Sequence, residues 1–241
     1  MTVSEWISLT SGCGAMGAAL AAFFTLFELS KQRKSSFKPD LCIVDNTFEL
    51  EESRYDGIAL AIGWASQNGT QYSHCMNPGF RVVNIGLGAA KDIEVVWEYD
   101  FKNQILKINK MAEELSIANF IKEEPNSISI EVNGSSTYSV HGEDKFNNLV
   151  YLVTSNSDPK GRELPFPYRY QLIVTAYLAL CSKLNLDLVE IEVPSIDLNL
   201  KFVDIGKGVH KSSHKFSCNI ILKSTDSKKL STYTMRYLED S

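Results

Sequence analysis

The chain opens with a long apolar segment and then changes to alternating hydrophobic and polar positions. Residues Ile7 to Phe27 form a run of 21 residues without a charge. A helix of that length reaches about 31 Å, which matches a bilayer hydrocarbon core of about 30 Å. The pattern therefore predicts a transmembrane helix, within an N-terminal anchor at residues 1–30.

Two other structures are compatible with an apolar N-terminal segment. A buried core helix is one, but such helices are usually shorter and amphipathic. A cleaved signal peptide is the other, because Ala19-Leu20-Ala21 has the small-residue spacing of a cleavage site. However, no Lys or Arg precedes the segment, and it stays apolar for six residues beyond Ala21. We therefore predict a membrane span that is retained in the mature protein.

Basic residues flank only one end of this span. None precedes it, whereas Lys31, Arg33, Lys34 and Lys38 follow it within a juxtamembrane connector at residues 31–39. The positive-inside rule places the basic flank in the cytoplasm. The sequence thus predicts a single-pass protein of the inner (plasma) membrane, with its N-terminus outside and its soluble domain in the cytoplasm.

Small residues recur along the span. Thr10, Gly14, Ala18 and Ala22 are spaced four apart, and small side chains at this spacing let two helices approach closely within lipid. The row predicts self-association or pairing with another membrane protein. A weakly hydrophobic span without a partner is the alternative.

The remaining residues, 40–241, are predicted to form one soluble domain that is rich in strands. In the segment FRVVNIGLGAAKDIEVVWEYD, two strand-like stretches flank Gly86-Leu87-Gly88, which we interpret as a hairpin turn. In the second stretch Ile93, Val95 and Trp97 share one face and Glu94 lies on the other. Such alternation is typical of a sheet with one solvent-exposed face.

Helical periodicity interrupts the strands twice. Residues 103–120 carry apolar side chains at helical spacing, among them Ile108 and Ala112. Between Pro165 and Leu184 a helix is favoured over a buried strand. Elsewhere, Asn133-Gly134 between two alternating runs predicts a two-residue hairpin.

These elements predict a mainly β fold: an N-terminal transmembrane helix followed by an antiparallel β-sandwich of about eight strands with one or two inserted helices. The order of an apolar span, a basic connector ending in Lys38-Pro39-Asp40-Leu41, and strands around Asn84-Ile85-Gly86-Leu87-Gly88 resembles small bacterial single-pass membrane proteins. The resemblance implies a cytoplasmic immunoglobulin-like sandwich. Some of these proteins resemble membrane components of phage-defence systems.

Composition limits the function classes. The hydrophobic fraction of 44% is that of a folded protein, and the formal net charge of −5 argues against a nucleic-acid binder. The five cysteines, Cys13, Cys42, Cys75, Cys181 and Cys218, are odd in number and lack a CxxC pair, so they do not indicate a disulfide framework.

No cofactor, metal site or catalytic residue is predicted. Gly86-Leu87-Gly88 lacks the third glycine of a dinucleotide-binding turn, because Lys91 takes its place. His210, His214 and Cys218 recur every four residues, but on a strand such positions lie about 13 Å apart and cannot share one metal ion.

The leading hypothesis is a non-enzymatic binding or adaptor module, anchored in the lipid bilayer and facing a protein partner or small ligand at the cytoplasmic face. One alternative is a membrane effector whose spans gather on a signal that the soluble domain senses. Another is an anchored enzyme, because catalytic groups from distant strands cannot be recognised in a sequence.

Overall fold

The computed structural model describes residues 2–45, 47–55, 58–68, 71–74, 78–118, 120–141, 147–226, 228 and 230–239. The helices are α1 (Val3–Ser36), α2 (Phe101–Glu114) and α3 (Tyr168–Lys183), and a short 3-10 helix covers Leu188–Glu190. The strands are β1 (Leu41–Asp45), β2 (Thr47–Tyr55), β3 (Ile58–Asn68), β4 (Gln71–His74), β5 (Gly79–Asn84), β6 (Ala90–Glu98), β7 (Ile121–Glu124), β8 (Ser127–Val132), β9 (Ser135–His141), β10 (Asn147–Leu152), β11 (Arg162–Pro165), β12 (Val193–Val203), β13 (Val209–Thr225) and β14 (Ser231–Glu239).

The N-terminal apolar segment forms one long helix, as predicted. Helix α1 has 34 residues and therefore extends about 51 Å. By length and composition, its 23-residue stretch Thr10–Gln32 is able to cross a membrane. This stretch lies a few residues further along the chain than the predicted span. The helix also continues through most of the connector, because no helix-breaking residue occurs before Pro39.

The rest of the chain, which we call the β-domain, contains three sheets. An eight-stranded sheet has the order β10-β6-β12-β13-β14-β2-β3-β4, and two three-stranded sheets have the orders β1-β5-β11 and β7-β8-β9. Each strand ladder is antiparallel within the described residues. The mainly β, antiparallel class is therefore confirmed, whereas the immunoglobulin-like topology is not confirmed by this strand order.

The predicted number of strands, about eight, was too small, since the described residues contain fourteen. The additional strands include β4, β7 and β11, each of only four residues. Their sequences, QYSH, IKEE and RELP, are polar or lack a clear alternation. They are held in the sheets by backbone pairing to a neighbouring strand, which leaves little signal in the sequence.

Aromatic side chains fill the space between the β1-β5-β11 sheet and the eight-stranded sheet. Phe80 on β5 lies 4.3 Å from Phe216 on β13 and 5.4 Å from Tyr237 on β14, measured between ring centroids. Phe166, just before α3, lies 4.9 Å from Phe80. Aromatic pairs at these distances add about 0.5–1.5 kcal/mol each beyond the area they bury. The two sheets therefore face each other as the layers of a sandwich.

Helix α3 lies inside the β-domain, and the helix predicted between Pro165 and Leu184 is confirmed. Each of its residues from Tyr170 to Cys181 is buried, as expected for a helix that is apolar on all sides. Its few polar groups have partners: the Thr175 hydroxyl donates to the Ala61 carbonyl at 3.0 Å. The Tyr170 hydroxyl donates to the Pro194 carbonyl at 2.7 Å.

Helix α2 is also confirmed, with Ile108 and Ala112 buried, but it ends at Glu114 instead of near residue 120. Ser116 has a φ of 59°, a left-handed conformation that ends the helix. The chain beyond it turns into β7.

The two predicted glycine-containing hairpin turns have different outcomes. Asn133 and Gly134, with φ values of 55° and 79°, connect β8 to β9 in a two-residue hairpin, as predicted. The interpretation of Gly86-Leu87-Gly88 as a hairpin turn was wrong. Strand β5 pairs with β1 and β11, whereas β6 pairs with β10 and β12. Both sides of β5 are occupied, so the turn passes from one sheet to the other.

Candidate functional site: the anchor helix and its joint with the β-domain

The predicted membrane residues all lie on α1, from Ile7 in its second turn to Phe27. Gly14, Ala18, Ala22 and Phe27 are exposed. A methyl group added at Gly14 would meet nothing within 4 Å, so the small-residue row has open space in front of it.

Large apolar side chains also cover α1 without contacting the β-domain. Every described side chain from residue 2 to residue 32 is exposed. The large hydrophobic residues among them are Val3, Trp6, Met16, Leu20, Phe23, Phe24, Leu26, Phe27 and Leu29. A soluble monomer rarely exposes so large a continuous apolar surface, which normally marks a membrane or protein contact.

The predicted basic residues lie at the C-terminal end of α1. Lys31, Arg33 and Lys34 are in its last turns, and Lys38 follows it on an exposed position.

A buried asparagine connects α1 to the β-domain. Asn84, at the end of β5, is only 1% exposed. Its side-chain oxygen accepts hydrogen bonds from the backbone N–H groups of Asp40, at 3.0 Å, and Gly86, at 3.1 Å. Its side-chain nitrogen donates to the carbonyls of Gly88, at 2.6 Å, and Leu152, at 3.4 Å. One side chain thus ties together the connector, the glycine turn and the end of β10.

The glycine turn packs directly on the backbone that leaves α1. A Cβ atom at Gly86 would overlap the Lys38 carbonyl, and one at Gly88 would overlap the Phe37 carbonyl. In addition, the Ile85 N–H donates to the Asp40 carbonyl at 2.8 Å. Only glycine fits at these two positions. We call Phe37–Asp40 together with Asn84–Gly88 the joint.

Sequence reasoning identified the two glycines of the joint but not their purpose. The available signal was a pair of glycines two and four residues after Asn84, between two apolar strands. A hairpin explains such a pattern equally well, and only the three-dimensional structure brings residues 37–40 to the turn. The joint leaves no free linker between the end of α1 and β1, which begins at Leu41.

Described residues of the β-domain line several open clefts, of which three are considered. One, of about 570 Å³, lies between α2 and the start of β12, beside Lys107 and Pro194. A second, of about 470 Å³, lies on the eight-stranded sheet beside Glu94 and Lys201, which form an exposed ion pair at 2.9 Å.

The third cleft, of about 550 Å³, lies at the C-terminal end of α3 and is called the basic cleft. It is lined by Arg54, Ile58, Ala59, Ala179, Ser182, Lys183, Asn185, Lys223, Thr225 and Ser231. Three of these described lining residues are cationic and none is acidic. The nearby Glu52 carboxylate is buried and accepts hydrogen bonds from the Ser231 N–H at 2.7 Å and the Tyr233 hydroxyl at 3.2 Å. Its negative charge is therefore directed into the domain.

His210 and His214 lie on strand β13, as predicted. His210 lies 2.8 Å from an Asp204 carboxylate oxygen, and His214 lies 2.7 Å from Glu239. The His210 contact and the Gly208 N–H lower the pKa of Asp204 below its usual value. Cys218 is buried, and burial raises the pKa of its thiol well above the ordinary value. Among the described residues, no group of three or more His, Cys, Asp or Glu side chains is arranged to hold a metal ion.

The cysteines that the structure describes, Cys13, Cys42, Cys181 and Cys218, are free thiols, and Cys75 lies outside the described residues.

No protein-family model matches the chain, and neither do curated proteins or solved structures.

Proposed function

We propose that this protein is a membrane-anchored binding module, in which α1 crosses the inner membrane and holds the β-domain at the cytoplasmic face. The observation that carries the proposal is the exposed surface of α1, which is apolar on all sides along a stretch long enough to cross a bilayer. The β-domain, in contrast, buries its own aromatic core. A bilayer around α1, with the β-domain in the adjoining water, satisfies both parts of the chain.

The charge distribution supports the orientation. Lys31, Arg33, Lys34 and Lys38 lie at the end of α1 that joins the β-domain, and no basic residue precedes the helix. The opposite orientation would carry these four charges across the bilayer. The cytoplasm is therefore the side on which we expect the β-domain.

The basic cleft is the site at which we expect a partner to bind. Its volume is within the range of ligand pockets, about 300–1,000 Å³. Arg54, Lys183 and Lys223 surround hydroxyl groups of Ser182 and Ser231, an arrangement suited to carboxylate or phosphate groups. An acidic segment of a protein partner, or a small anionic ligand, fits this chemistry.

The exposed small-residue row of α1 supports a second contact within the membrane. Gly14, Ala18 and Ala22 leave space for a neighbouring helix. Self-association or pairing with another membrane protein would bury this row.

The test is an affinity capture from native membranes with the full-length protein. A variant with Arg54→Gln, Lys183→Gln and Lys223→Gln removes the charge of the basic cleft. We expect the wild type to resist carbonate extraction and to retain a specific partner, and we expect the cleft variant to lose that partner while remaining in the membrane.

The matched control carries Lys102→Gln, Lys110→Gln and Lys160→Gln, which remove the same charge from exposed positions outside the cleft. It should retain the partner. If control and cleft variant lose the partner equally, net charge rather than the cleft is responsible. If carbonate releases the wild-type protein, the anchoring itself is wrong. Loss of membrane potential on expression, dependent on residues 1–30, would instead favour the effector alternative.

A further inference from the structure

Exposed apolar side chains surround the point where α1 enters the β-domain. Phe37 is 56% exposed, Ile85 is 56% exposed and Leu87 is 61% exposed. These residues are not on a loose loop. Ile85 and Leu87 belong to the joint, where Gly86 and Gly88 pack against the backbone of residues 37–40. The Asn84 side chain also hydrogen-bonds the backbone of Asp40 and Gly88. Their position relative to the end of α1 is therefore fixed.

The length of α1 brings these residues close to the membrane surface. The stretch able to cross a bilayer ends at Gln32, five residues before Phe37. Five helical residues rise about 7.5 Å. The headgroup layer on each side of the hydrocarbon core is about 5–8 Å thick. With Gln32 at the hydrocarbon boundary, Phe37 and the adjoining turn lie at the outer part of the headgroup layer.

The eight-stranded sheet presents further apolar surface at the same end. Strand β6 begins at Ala90, directly after the glycine turn, and Lys91 pairs with Val203 at the end of β12. The loop after Val203 carries Ile205, which is 63% exposed. The register thus places this loop and the glycine turn at one end of the β-domain.

Cations accompany these apolar side chains. Lys38 is exposed beside Phe37, Lys91 follows the turn, and Lys207 is exposed in the same loop as Ile205. Because the exposed Asp40 and Asp92 lie beside Lys38 and Lys91, the apolar side chains rather than a net positive charge would carry contact with the membrane interface.

We propose that the glycine turn is a second membrane contact, which places Ile85 and Leu87 in the headgroup layer of the bilayer that α1 crosses. Because the joint holds the turn against the end of α1, this contact fixes the tilt of the β-domain on the membrane. The inference rests on the proposed anchoring by α1, to which it adds a defined surface of the β-domain.

The test compares two single-cysteine positions in the full-length protein. Leu87→Cys places a label on the turn. Leu106→Cys is the control, because Leu106 is 67% exposed on α2, which begins beyond the opposite end of the nine-residue strand β6. That strand spans about 27 Å, and α2 lies at its far end, because Gln104 and Lys107 line a cleft with Val193 and Pro194 at the start of β12.

The labels are attached after replacing the remaining non-buried cysteines and Cys75 with Ser. The carrier is a vesicle of phosphatidylethanolamine and phosphatidylglycerol that contains a lipid with a nitroxide on its headgroup. Flotation first shows whether the chain is inserted. We expect an environment-sensitive fluorophore at position 87 to shift to shorter wavelength and lose roughly half of its emission to the nitroxide, and one at position 106 to do neither.

The outcomes separate the two proposals. Equal signals at both positions in floating vesicles would overturn the membrane contact and leave the anchoring intact. A chain that does not float would overturn the anchoring, and the contact with it. Ile85→Cys provides a second labelled position on the turn, so a local effect of one substitution cannot decide the result.

Discussion

Replacing Asn84 with Ala should weaken the β-domain more than the loss of any exposed asparagine. The substitution removes the four hydrogen bonds that the side chain makes to Asp40, Gly86, Gly88 and Leu152. Two backbone N–H groups lose an acceptor and two carbonyls lose a donor. Because Asn84 is buried, water reaches these groups poorly.

The size of the effect follows from the hydrogen-bond inventory. Each intramolecular hydrogen bond contributes about 0.5–1.5 kcal/mol net, and the two bonds to Asp40 and Gly86 are only partly buried. The expected decrease in the free energy of unfolding is therefore about 3 kcal/mol. For a domain of this size, the slope in urea is about 2–3 kcal/mol per M, so the unfolding midpoint should fall by about 1 M.

The assay is urea unfolding of the full-length chain in detergent, followed by tryptophan fluorescence, in which Trp64 and Trp97 report on the β-domain and Trp6 lies outside it on α1. Two further asparagines calibrate it. The side chain of Asn109 exchanges two hydrogen bonds with the backbone of Ile121, at 2.7 and 3.0 Å, so Asn109→Ala should cost about half as much. Asn219 is exposed on β13, and Asn219→Ala should change stability by less than about 0.5 kcal/mol.

The expected order of destabilisation is Asn84, then Asn109, then Asn219. An Asn84→Ala variant that unfolds at the same urea concentration as Asn219→Ala would refute the idea that this side chain holds the joint. A change of slope without a change of midpoint would point instead to an altered unfolded or partly folded state.

Three further predictions concern single side chains. Gly88→Ala should lower the unfolding free energy by about 2 kcal/mol or more, because the new methyl group overlaps the Phe37 carbonyl, whereas Gly17→Ala on exposed α1 should be neutral or slightly stabilising in the same urea assay. The hydrogen bond with His210 lowers the pKa of Asp204 on folding. The stability that Asp204 contributes should therefore be complete above about pH 4.5 and be lost as pH falls through the lowered pKa, so the urea midpoints of wild type and Asp204→Asn should converge in acid. A difference that stays constant with pH would contradict this. Burial raises the pKa of Cys181 to about 11 and also keeps reagents away from its thiol, so in peptide mapping after treatment with an aromatic disulfide at neutral pH it should react at least about tenfold more slowly in the folded chain than in urea.

Much of the fold is predictable because its patterns are local. The apolar run of α1, the helical spacing in α2 and the alternation in β6 each depend on neighbouring residues. The hairpin at Asn133-Gly134 is predictable for the same reason, since its left-handed backbone selects these residues. The buried helix α3 was harder, because a continuously apolar segment has no periodicity to separate helix from strand.

The joint and the basic cleft could not be predicted because their residues are distant in sequence. Asn84 meets Asp40 across 44 positions, and Arg54 and Lys223 line the same cleft from β2 and β13. Short polar strands such as β7 were missed because pairing with a neighbour, rather than their own sequence, makes them strands. The two glycines of the joint carried a signal, but one that fits a hairpin equally well.

The proposed function requires that α1 crosses the membrane and that the β-domain lies in the cytoplasm. The direct measurement is a pair of fusions at the C-terminus of the full-length chain, one to a reporter that is active only in the cytoplasm and one to a reporter that must be exported. A variant that adds Lys at Thr2 and Ser4 and neutralises Lys31, Arg33 and Lys34 provides the control, because it reverses the charge difference across the span and should weaken or invert the orientation. We predict an active cytoplasmic reporter and a silent exported one for the native sequence. An active exported reporter on the native sequence would contradict the account.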